Sequence, residues 1–154
     1  MSTAETPQVT TEKSAFRMSV SVSVRIQAKP ERIWSLLTDA SDFARWNSTV
    51  TSITGKIALG EKIVVKVPIS PKRDFKLKVI EFVPDKKMVW ADGFAPMFRG
   101  VRTYTLEAAD DGSTGFEMTE VFSGMMLPMI AGSLPDFAPA FSTYAADLQR
   151  EAQA

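Results

Sequence analysis

Within residues 136–150, Phe137, Phe141, Tyr144 and Leu148 recur at i, i+4, i+7 and i+11. That spacing draws one wide apolar stripe down an amphipathic helix. Asp136 suits the cap, and Pro139 suits the first turn, where a missing N–H would be an orphan in any case. A helix with so broad an aromatic face must lie on a surface. Nearly everything before it reads as β-strand, so the chain must lay a sheet against that helix.

The strand signal is strongest at residues 18–26. Met18, Val20, Val22, Val24 and Ile26 fall on one face, and Ser19, Ser21, Ser23 and Arg25 on the other. Ala28, Lys29 and Pro30 then open a helix whose apolar face is Ile33, Trp34 and Leu37, with Glu31 at its positive end. Asp39 or Ser41 is read as the cap of a second short helix running to about Arg45. Strands are expected from Trp46 to near Gly55, over 61–67, 75–83, 87–92, 99–108 and 115–123. The last two form a hairpin around Asp110-Asp111-Gly112. Short connections imply antiparallel pairing, and alternation implies one wet and one covered face. The fold class is therefore α+β: a curved antiparallel sheet of about seven strands wrapped on a long C-terminal helix, with two short helices after the first strand. Residues 1–16 are rich in Ser, Thr, Glu and Gln and are read as a disordered tail.

Composition removes several chemistries. Among 154 residues there is no cysteine and no histidine. Disulfides, thiolate metal sites and cysteine nucleophiles are excluded, as are the usual proton shuttle and the commonest metal ligand. No metal or cofactor is expected. Formal net charge is zero, which gives no general pull toward nucleic acid. Lys62, Lys66, Lys76 and Lys78 alternate outward and read as a solvated face rather than a nucleic-acid patch. No apolar run is long enough to span a bilayer, and no secretory pattern opens the chain, so the expectation is a cytoplasmic protein without stable membrane insertion.

Four segments carry a resemblance: Ala28-Lys-Pro-Glu-Arg-Ile-Trp34, Phe43-Ala-Arg-Trp-Asn47, Gly100-Val-Arg-Thr-Tyr-Thr-Leu106 and Thr119-Glu-Val-Phe-Ser-Gly124. In their order and spacing the chain resembles the SRPBCC superfamily, the START and birch-pollen-allergen-like helix-grip fold, and in particular its polyketide cyclase/dehydrase-like branch. The resemblance implies a single domain over 17–152 with a deep apolar cavity between sheet and helix. It also implies a small hydrophobic ligand of lipid, polyketide or aromatic type. Two departures stand out. Arg102 occupies a position where the family often has His, and Pro128, Pro135 and Pro139 crowd the start of the final helix. Residues 125–134 are accordingly expected at the cavity mouth.

If Leu106 pairs with Phe116 across the last hairpin, Tyr104 meets Met118 and Arg102 meets Glu120, all on one face. Arg102 and Glu120 then form an ion pair at the cavity that either anchors a ligand or only satisfies two costly charges. Trp90 reads first as packing and second as a cavity wall. Phe137, Phe141 and Tyr144 present the helix stripe to the cavity. Phe94, Met97, Phe98, Met125, Met126 and Met129 lie in predicted loops and are read either as a flexible entrance or as a surface for a partner or a homodimer. Three functions stay open: a carrier of a small hydrophobic molecule; a cyclase or dehydratase with Glu120 as acid/base helped by Arg102 or Tyr104; and a partner-binding module using the apolar loops.

Overall fold

The computed structural model of the chain describes residues 4–154. Its strands are β1 (Gln8–Lys13), β2 (Arg17–Ile26), β3 (Ser52–Thr54), β4 (Lys62–Lys66), β5 (Asp74–Val83), β6 (Lys87–Phe94), β7 (Phe98–Ala108) and β8 (Thr114–Ser123). Its helices are α1 (Pro30–Leu37), α2 (Phe43–Trp46), α3 (Leu127–Ile130) and α4 (Ala138–Gln153), with 3₁₀ turns before α2 and after α3. Among the described residues the strands form one antiparallel sheet in the order β1-β2-β8-β7-β6-β5-β4-β3.

The alternation in β2 does what its pattern predicts: Val20, Val22, Val24 and Ile26 are buried, and the serines between them are half-buried on the opposite face. The inner faces of β8 and β7 continue that layer with Phe116, Met118, Tyr104 and Leu106. Along α4, Phe141, Tyr144, Ala145, Leu148 and Ala152 are buried, so the helix spends its apolar stripe on the sheet. Ile33, Trp34, Leu36 and Leu37 of α1 close one end of the same core, with the Trp34 ring edge-on to Phe82 at 5.1 Å.

Two expectations are corrected. The segment 1–16, read as a disordered tail, carries β1, which lies antiparallel on the free edge of β2; residues 1–3 lie outside the described residues. The tail is also tied to α4, because the Gln149 side-chain amide donates to the carbonyls of Glu5 and Arg25. An unpaired edge leaves a row of N–H and C=O groups to satisfy, and even a polar segment can supply them. The sheet therefore has eight strands rather than about seven. The second short helix also lacks its expected cap: neither Asp39 nor Ser41 bonds a backbone N–H there, and Ser41 donates its hydroxyl to Asp39 instead. The helix α4 begins at Ala138, where Asp136 Oδ1 accepts from the Ala138 N–H at 3.1 Å.

Candidate functional site

The amino-terminal half of α4 does not seal onto the sheet. Between it and the inner faces of β4, β5, β7 and β8 lies a pocket with about 630 Å³ of empty space, counting the mouth open to solvent. Phe137, Ala140, Phe141 and Tyr144 form the helix wall. Val65, Phe75 and Leu77 form the facing wall, with Val67 and Ile69 just beyond β4. Thr49 and Val50 close one side, and Phe122 the other.

The Thr49–Val50 side is held from α4 itself. Asp147, nearly buried, accepts the Ser48 N–H at 2.8 Å and the Ser48 hydroxyl at 2.7 Å. Buried Asn47 accepts the Thr49 N–H and hydroxyl at 3.0 and 2.7 Å. Asn47 thus fixes this junction, and Trp46 beside it packs on Phe43 and Tyr144.

The charged side chains of the pocket gather at one end. The predicted hairpin register is the observed one: Arg102 lies opposite Glu120, Tyr104 opposite Met118 and Leu106 opposite Phe116. Arg102 Nε donates to Glu120 Oε1 at 2.8 Å, and its Cζ lies 5.2 Å from the centre of the Phe141 ring. That stacking is a cation–π contact that covers one face of the guanidinium. One row along the sheet Phe122, Gly100 and Asp92 lie side by side. Gly100 has no side chain, and this makes room for a carboxylate: a Cβ there would stand 2.5 Å from Asp92 Oδ1. Asp92 Oδ1 accepts the Gly100 N–H at 3.1 Å. The polar end is therefore one guanidinium between two carboxyl groups, all three lining the pocket.

Burial pushes the Glu120 carboxyl above its usual range; Arg102 pulls it back, and the charge of Asp92 adds to the rise. Burial likewise raises Asp92, against the Gly100 N–H and the charges of Arg99 and Arg102. For Arg102, burial opposes the charge, but Glu120 and the two tyrosines outweigh it, and its pKa is raised. The hydroxyls of Tyr104 and Tyr144 lie 3.1 Å apart, and burial pushes both pKa values up, that of Tyr144 strongly. Neither phenol is poised to ionise near neutrality. Among the described residues no cluster of acidic side chains is arranged to hold a metal ion.

Of the residues proposed from the sequence, Arg102, Glu120, Phe137, Phe141 and Tyr144 meet at the pocket. Trp90, Tyr104 and Met118 point to the same sheet face but are fully packed and do not line it. Trp90 sits edge-on to Tyr104 at 5.0 Å, as core. Phe94, Met97, Phe98 and Met129 do not line it either. They belong to an apolar tip in which the Met125 N–H donates to the Pro96 carbonyl and the Met126 N–H to the Met97 carbonyl. Phe94 and Met129 are 70% and 81% exposed there, so the loops face outward rather than inward to the cavity. Phe98 reaches the pocket only through its neighbours, stacking on Phe122, which stacks on Phe137. The sequence reading missed Asp92 and the β4–β5 wall. Alternation placed Val65, Val67, Phe75 and Leu77 on the covered face, but a filled core and an open pocket look the same in that pattern.

Residues 17–152 match the family described as polyketide cyclase / dehydrase and lipid transport. A START superfamily protein from Mycobacterium smegmatis superposes with a TM-score of 0.64 at 16% identity, over 87% of this chain and 96% of that one. CalU16 from Micromonospora echinospora gives 0.63 at 13% identity, over 94% and 87%. A hypothetical protein from Helicobacter pylori gives 0.69 at 14% identity, over 86% of each. These likenesses show the fold. No curated protein matches the chain.

Proposed function

Because the chain belongs to the polyketide cyclase / dehydrase and lipid transport family, we propose that it binds and carries a small hydrophobic molecule in the pocket between α4 and the β4–β5 wall. The observation that carries this reading is the pairing of apolar walls with a single charged end at Arg102, Glu120 and Asp92. Burial of ligand apolar surface would supply affinity at roughly 25 cal/mol per Å² before ordering costs, and the polar end would fix orientation. A native mass spectrum of freshly purified protein, followed by organic extraction, tests it. A stoichiometric extra mass of an apolar compound is expected. A clean unliganded mass, together with no thermal shift from a panel of apolar carbonyl and hydroxyl compounds, would refute it, since a ligand that binds only the folded state must raise the melting temperature.

A second reading is favoured by one observation. Glu120 combines a pocket position with a carboxyl that burial raises above its usual range, the direction that suits a carboxylic acid to proton transfer. On that reading the protein is a cyclase or dehydratase, with Glu120 as acid/base and Arg102 polarising a carbonyl. Turnover of a polyketide-like substrate that vanishes in Glu120→Gln, with binding retained, separates catalyst from carrier.

A further inference from the structure

The charges at the polar end define which ligand head group the pocket accepts, provided that it is the binding site proposed above. Arg102 is the only cation among the fifteen lining residues, and Asp92 and Glu120 both stand beside it. Its Nε is committed to Glu120, and the Phe141 ring covers one of its faces. The two carboxyl groups each spend one oxygen, Glu120 on that guanidinium and Asp92 on the Gly100 N–H. Both carboxyl groups line the pocket, so each has an oxygen to offer a ligand there.

An anionic head group entering this end would gain one cation and meet two carboxylates in a poorly solvated site, where like charges repel far more than in water. Burial already raises both carboxyls, which shows how little further negative charge the end tolerates. A neutral hydroxyl avoids that repulsion: its proton goes to a carboxylate oxygen, and its lone pairs face the remaining guanidinium donors. Gly100 belongs to this selection, because any side chain there would displace the Asp92 carboxylate. We infer that the pocket is selective for uncharged hydroxylated ligands, alcohols or phenols on an apolar skeleton, and rejects the matching carboxylates, with Asp92 and Glu120 as the discriminating residues.

The matched probes 2-naphthol and 2-naphthoate test this at neutral pH, with affinities read by titration of amide chemical shifts. Naphthol should bind at least about tenfold more tightly, a preference of ~1.4 kcal/mol. The Asp92→Asn/Glu120→Gln variant leaves Arg102 uncompensated and should reverse the order. If that variant does not fold, Asp92→Asn alone should narrow the ratio, its amide spectrum showing that the fold persists. Naphthoate binding as tightly as naphthol to the wild-type protein would overturn the inference while leaving the carrier reading intact. If neither probe shifts the pocket resonances, this inference fails, and the native mass spectrum decides separately whether the carrier reading fails with it.

Discussion

The two halves of the inner sheet face share a sequence pattern and differ in what covers them. On β2, β8 and β7, the side chains of Val22, Val24, Phe116, Met118 and Tyr104 have no solvent exposure, and Ala145 and Leu148 in the later turns of α4 belong to the same core. On β5, the equally inward Phe75 and Leu77 are only half-buried, because the early turns of α4 stand away from them and leave the pocket. One half of the molecule is closed for stability, and the other is left open at a cost in burial. The same residue types thus do two jobs according to how near the helix comes. The rules that set the cost of a mutation are those of close packing in one half and of surface exposure in the other.

The largest break in that comparison should come from the closed half. Phe116→Ala removes a fully buried ring that nothing can replace, and should cost about 3–5 kcal/mol in urea unfolding. Ligand preference should be unchanged in whatever protein remains folded.

The boundary between the halves is the ion pair. Arg102→Met leaves Glu120 buried without its cation, and at neutral pH should cost about 3 kcal/mol. Without the charge and hydrogen bond of Arg102, which hold it down, Glu120 rises further. A carboxyl with a raised folded-state pKa favours the fold fully below its unfolded value and loses that contribution as pH rises through the folded value. The deficit against wild type should therefore shrink on acidification and widen on going alkaline. Replacing both partners, Arg102→Met with Glu120→Met, should recover most of that loss, because Glu120 no longer stands buried and unpaired; Asp92 keeps the Gly100 N–H but loses the nearby charge of Arg102. A double variant as unstable as the single one would show that shape, not charge, sets the cost.

In the open half, Leu77→Ala enlarges a pocket that is already there. It should cost only about 1 kcal/mol in the same unfolding assay, while changing the affinity for an apolar probe. A loss as large as that of Phe116→Ala would mean that the pocket closes in solution.

The smallest effect belongs to Asp92→Asn. Asp92 is raised by burial, so its favourable contribution is complete below about pH 4, its usual unfolded value, and fades as pH rises through the folded value. The amide cannot ionise and escapes that loss. Relative to wild type, the variant should gain stability from acid toward neutral pH, measured as the difference between two melting-temperature profiles.

How much of this is readable from the chain depends on how local the cause is. The hairpin register follows from Asp110-Asp111-Gly112 and from a strict period of two, so the pairing of Arg102 with Glu120 is legible in the residues alone. The stripe on α4 follows from the helical period, but its start does not: Asp136 is the expected cap, whereas Phe137 holds that position without a side-chain hydrogen bond and Asp136 accepts the Ala138 N–H from one residue further out. Asp92 is different. Its carboxylate reaches the pocket over Gly100, a cross-strand neighbour eight residues away, and neither residue alone announces that arrangement. Nor does the polar segment Gln8–Lys13 announce itself as a strand, because its pairing answers the bare edge of β2 and not its own pattern.

The sequence by itself determined the α+β class, the antiparallel order of its later strands, the inward faces and the pairing of two buried charges, because periodicity and turn residues act over a few neighbouring positions. Whether the inward face was filled was decided only in the tertiary structure. That depends on the distance between α4 and β5, and Asp147, gripping Ser48 across 99 residues of chain, ties α4 to the wall at Thr49 and Val50.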